Sequence, residues 1–178
     1  GSRIPNFHIY ESVMRPARGV EQNNFIHCSK TYQLDTSIGD FYVRGVLYAQ
    51  QNDLTFVCAH VCLRTVLASV LPEGDVSYRR INDIAGIDHL GERVGGGAGL
   101  SPEKMEAVLE EHGLEYAKII HEPADPTLEL PGDYQSDLYG AIESGQPALL
   151  GFELSDSSSR HIIPVIGHTF NEDTWVAP

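Results

Sequence analysis

Basic residues are scarce in this chain: Lys and Arg number 12 against 25 Asp and Glu, giving a net charge of −13. A surface of that sign repels a phosphate backbone, so nucleic acid is not an expected partner. Cysteine is scarcer still, with three residues at positions 28, 58 and 62. An odd count of this size does not make a disulfide framework and fits a reducing compartment or a reactive thiol. No apolar run reaches membrane-spanning length and no signal peptide opens the chain, which points to a soluble, cytoplasmic protein without a membrane segment. Internal repeats, low-complexity tracts and Pro/Gly/Ser-rich linkers are all missing. What remains is an ordinary globular composition, 42% apolar over 178 residues, enough for one well-buried core. Gly1-Ser2 reads as a cloning remnant.

The first forty-odd residues are irregular, with short alternating stretches over Asn6 to Val13 and Asn24 to Leu34 that suggest strands or an arm. Phe41 to Tyr48, rich in β-branched and aromatic residues, is a stronger strand. Gln50-Gln51-Asn52-Asp53 then forms a polar loop. From Cys58 to Leu71 the period changes: Cys58, Cys62, Val66 and Val70 recur every fourth residue with Leu63 and Leu67 beside them, and Pro72 and Gly74 close the segment. A helix apolar over most of its circumference belongs inside other elements. Tyr78 to Ala85 reads as a short helix. A further helix is punctuated by Ser101 as N-cap, Pro102 in its first turn and Gly113 as its stop. Leu114 to Ile120 resembles a strand, His121 to Gly132 with its three prolines an extended loop, and Asp137 to Ser144 a short helix. Ala148 to Leu154, His161 to Gly167 and Thr174 to Val176 complete the chain as strands, an α+β pattern. Pro178 follows a strand directly, so the natural chain is expected to continue.

Cys58 is the most informative residue. It follows a polar loop and opens a buried helix, where unpaired backbone N–H groups and the helix dipole favour an anion. Taken alone, a free cysteine is more often simply a core residue, and Cys62, one turn further in, is read that way. Cys28 is given no role. A thiolate nucleophile needs a base that returns the proton to the leaving group, and His161, at the mouth of a strand after the polar run 155–160, is placed to serve; a surface histidine at a strand end is the plain alternative. Gln51, in the loop leading back to the helix start, could join the Cys58 backbone N–H as an oxyanion donor, with Gln50 and Asn52 as other candidates. Cys58, His60 and Cys62 resemble metal ligands in composition, yet on a helix the middle one points away from the other two, so no metal site is expected. The glycine cluster at 95–99 lacks the Gly-x-Gly-x-x-Gly spacing and no Lys-Ser/Thr follows; it reads as a flexible loop, and no cofactor is expected.

Several of these pieces together carry a resemblance. Val46-Leu47-Tyr48-Ala49-Gln50-Gln51 followed by Cys58-Ala59-His60-Val61-Cys62-Leu63 resembles the papain-like cysteine peptidase superfamily, in particular its bacteriocin-leader-processing (double-glycine) branch. Gly99-Leu100-Ser101 opening a helix that ends His112-Gly113-Leu114 is similar to that family's Gly-x-Ser helix. Ile142 to Leu150 resembles its short helix, Gly-x-Pro and strand step, and His161-Ile162-Ile163-Pro164-Val165-Ile166-Gly167 its histidine-bearing strand. The resemblance implies Cys58 as nucleophile, His161 as general base and acid, and Gln51 as oxyanion donor. Two positions depart from it. Ala59 and His60 stand where the family has Gly and Pro, and Ala177 stands where it places the Asn or Asp that orients the histidine. Asn171 and Asp173 fall in a turn, too early for that role. A Cys–His dyad, a different orienting residue and an inactive site are the resulting alternatives; His168 is a less favoured base, whose own partner would lie past Pro178.

The expectation is therefore an N-terminal arm over 1–44 and a papain-like domain over 45–178, with a buried N-terminal helix against a C-terminal antiparallel sheet and a cleft between them. The expected activity is thiol-dependent cleavage of a peptide or isopeptide bond in a peptide or protein substrate. Acyl transfer to an amine or thiol, and a catalytically inactive binding domain of the same fold, are the alternatives.

Overall fold

The structure is a computed structural model that describes residues 11–15, 24–26, 28–49, 57–72, 74–87, 99–121, 133–153 and 160–169. Alternation and β-branched content in the N-terminal third give four strands: β1 (Glu11–Met14), β2 (Asn24–Ile26), β3 (Lys30–Thr36) and β4 (Gly39–Ala49). β1 and β3 flank β4 in an antiparallel three-stranded sheet. β4 runs without interruption through the expected boundary at 44/45. Gly45 is required where β1 comes close, since a Cβ there would lie 2.2 Å from the Met14 carbonyl oxygen.

The change to a four-residue period at Cys58 produces α1 (Cys58–Val70). Leu71 leaves the helix in an extended conformation because Pro72 follows it, and Lys30 Nζ donates to the Leu71 carbonyl at 2.5 Å and the Pro72 carbonyl at 3.0 Å. α2 (Tyr78–Ala85) and α3 (Pro102–Glu111) start at Ser77 and Ser101, whose hydroxyls accept from the N–H groups of Arg80 and Lys104. α3 stops at Gly113, which takes the left-handed conformation at φ 67°. Leu63 and Leu67 of α1, Ile81 of α2 and Val108 of α3 are fully buried in one cluster with Ala59, Val76, Leu100 and Met105. Sealing each such aliphatic side chain from water contributes about 1.5–3 kcal/mol.

α4 (Asp133–Glu143) begins four residues before the expected Asp137. β5 (Ala148–Glu153) and β6 (Arg160–Val165) pair antiparallel, and α1 is held against both β6 and β4. The molecule is thus mixed α+β, with α1 lying between the N-terminal sheet and the C-terminal strand pair.

Two expectations are corrected. Residues 114–120 form no strand: Ile119 and Ile120 are exposed, while Tyr116 Oη donates to Glu106 and Glu110 and Lys118 Nζ donates to Glu106, so side chains lash this segment to α3. The expected strand from His161 to Gly167 breaks at Ile166, because β7 (Gly167–Thr169) leaves β5 and pairs with β2 instead. That pairing joins residues 24–26 to residues 167–169. Thr174 to Val176 lies outside the described residues. Among the described residues no helix is long and apolar enough to cross a membrane.

Candidate functional site

Cys58 is the first residue of α1 and is partly exposed. Its N-cap residue, Val57, makes no side-chain capping hydrogen bond, and the first turn holds no acidic residue. One turn on, Cys62 is fully buried and its Sγ donates to the Ile162 carbonyl of β6 at 3.2 Å. Burial, and then the proximity of Cys58, push the Cys62 thiol up to about 12, which keeps it protonated and unreactive. Reading Cys62 as core agrees with this. Cys28 is also buried, with its thiol pushed up by desolvation.

The Cys62–Ile162 bond fixes where α1 sits on β6, and it places the start of the helix on the strand that carries His161. His161 is the second residue of β6. Its ring lies edge-on to that of Phe152, its register partner on β5, with centroids 5.6 Å apart. Ile162 packs against the cluster around α1, so side-chain alternation turns His161 to the opposite face of the pair. The two elements meet, but the imidazole lies alongside Phe152 on the face turned away from α1, and no hydrogen bond joins it to the Cys58 thiol. Gln50, Gln51, Asn52, Asn171, Asp173 and Ala177 lie outside the described residues, as do Gly95 to Ala98.

His60 and Cys62 diverge as helical spacing requires: His60 Nε2 donates to Asn82 Oδ1 of α2 at 2.5 Å while Cys62 faces β6. Among the described residues no group of His, Cys, Asp and Glu is gathered as metal ligands would be.

One imidazole has a partner that sequence reasoning missed. His168 of β7 donates from Nε2 to Glu143 Oε1 at 2.5 Å, and its ring lies 5.1 Å from that of Tyr139. This carboxylate is supplied by α4. The signal was present in Tyr139 and Glu143, four apart and therefore on one helix face, but nothing local pointed to β7. Arg64 anchors the other side of α1, with Nε and Nη2 each 2.9 Å from an Asp75 carboxylate oxygen, Nη1 on Glu11 and its guanidinium 4.6 Å from the Tyr78 ring centroid. That cluster ties β1, α1 and α2 together and leaves the N-terminal turn of α1 untouched.

No protein-family model matches this chain, and neither a curated protein nor a solved structure is significantly similar to it.

Proposed function

We propose that the chain is a papain-like thiol hydrolase that cleaves a peptide or isopeptide bond through an acyl-enzyme on Cys58. The observation that carries this reading is the position of Cys58: a partly exposed thiol on the first residue of a helix seated against the strand of His161. The reaction requires the imidazole, which alternation turns to the other face of that strand, to swing round to the Cys58 sulfur. In the reaction the Cys58 thiolate attacks the carbonyl carbon. Its oxyanion takes hydrogen bonds from the Cys58 backbone N–H and the Gln51 amide. Collapse breaks the C–N bond as protonated His161 gives its proton to the departing amine. Water, deprotonated by His161, then attacks the thioester and releases the acid and the thiol. Transfer of the acyl group to an added amine or thiol is the same chemistry with another acceptor.

A second reading, a binding domain that keeps the fold without catalysis, is favoured by the edge-on seat of His161 against Phe152 and by Ala177 at the orienting position. An activated acyl ester separates the two. Hydrolysis predicts continuing turnover with the acyl group mapped to Cys58 by mass spectrometry, abolished by Cys58→Ala and lowered at least ~10²-fold by His161→Ala. Acylation spread over Cys28 and Cys62, or turnover indifferent to both substitutions, leaves only the binding domain.

A further inference from the structure

β3 is an edge strand among the described residues, and the outer half of the β3–β4 hairpin stands clear of the core, with every residue from Gln33 to Tyr42 exposed. Ile38 at its tip is 85% exposed, and the facing pair Leu34 and Phe41 are 46% and 48% exposed. A two-stranded ribbon open on both faces is marginal by itself. β3 has no proline, and its lysine, Lys30, is turned back onto the end of α1, so the charge this edge presents is that of Asp35.

The register fixes what this edge offers. Thr36 pairs with Gly39 across a two-residue turn, so the backbone groups of residues 30, 32, 34 and 36 point into the hairpin, and those of Thr31, Gln33 and Asp35 point outward. An antiparallel partner centred on Gln33 meets all three. Gln33 then faces Gln33 of a second copy, and Thr31 faces its Asp35, each pair exchanging two backbone hydrogen bonds, while Tyr32 faces its Leu34. The rows of side chains across such a junction agree on both faces. On one face they read Val43, Tyr32, then Leu34 and Phe41 of the second copy, apolar throughout. On the other they read Arg44, Thr31, then Asp35 and Asp40 of the second copy. Within one chain, Asp35 and Asp40 are opposed like charges bridged only by the Gln33 amide. The second copy supplies Arg44 two strands away, about 10 Å between backbones, with short Thr31 between for the guanidinium to cross.

We propose that two copies of this chain associate through β3 about a two-fold axis at Gln33, joining their sheets into one continuous sheet in which Arg44 of each copy offsets the Asp35–Asp40 pair of the other. The contact is isologous, as closed dimers require.

Sedimentation of the whole chain from roughly micromolar to millimolar concentration tests this. A reversible dimer is expected. Gln33→Pro removes an outward-facing N–H together with the amide between Asp35 and Asp40, and Gln33→Lys sets two lysines face to face; each should weaken association by roughly tenfold or more with an unchanged circular dichroism spectrum. Should the proline variant fold poorly, the lysine variant carries the test alone. Arg44→Asp should weaken the dimer, and adding Asp35→Arg should restore it, which fixes the register. A monomer at every concentration overturns the proposal. So does a dimer indifferent to both Gln33 substitutions, or a chain that gains a strand only from an added basic peptide.

Discussion

The helical cluster and the β3–β4 hairpin are opposite solutions built by one chain. Around α1, apolar residues recur on a helical period and nearly every one is sealed, with Leu63, Leu67, Ile81 and Val108 fully buried. In the hairpin the alternation is just as regular, yet Leu34, Ile38 and Phe41 stay in water. A periodic pattern thus specifies an element and its faces, while burial depends on whether another element arrives to cover them. The cluster supplies the stability, and the hairpin has surface to spare for a partner.

Substitutions can break that contrast. Leu67→Ala should cost about 2–5 kcal/mol in denaturant unfolding, since a cavity opens among residues that cannot collapse onto it. Gly45→Ala should cost about 1–3 kcal/mol, because the added methyl meets the Met14 backbone and not a movable side chain. Asp75 sharpens the picture from the pH side. Its hydrogen bonds from Arg64 hold the carboxyl below its usual range, so its contribution is present above about pH 4 and fades as the pH falls through the lowered folded value. With more than half of the Asp75 side chain in water, the contribution stays below about 1 kcal/mol, and Asp75→Asn should flatten the acid limb of the stability profile by that amount. Leu34→Ala should change the unfolding free energy of the monomer by no more than about 0.5 kcal/mol.

What could be read in advance was local. The limits of α3 and the first residue of α1 follow from Ser101, Pro102, Gly113 and the shift of period at Cys58, each of which acts within a turn of its own position, and α2 spans Tyr78–Ala85 as read. The burial of Cys62 follows from its place on the same helix face. What escaped depends on residues distant in sequence. Residues 114–120 have strand composition, but Glu106 and Glu110 offer side-chain partners and no strand lies alongside among the described residues. The break at Ile166 reflects a change of neighbour from β5 to β2, and the His168–Glu143 pair joins α4 to β7 over 25 residues. Of the candidate site, the setting of Cys58 and the strand of His161 were legible. The direction of the imidazole depends on strand parity and on Phe152, which spacing alone did not settle.

Relative thiol reactivity tests the central claim most directly. Folded protein at neutral pH is treated with iodoacetamide, and the alkylation of Cys28, Cys58 and Cys62 is followed by peptide mass mapping, in the native chain and in His161→Ala. The account predicts that Cys58 reacts well ahead of the two buried thiols and that loss of the imidazole slows it. Equal rates at all three cysteines, or a Cys58 rate untouched by His161→Ala, would contradict it.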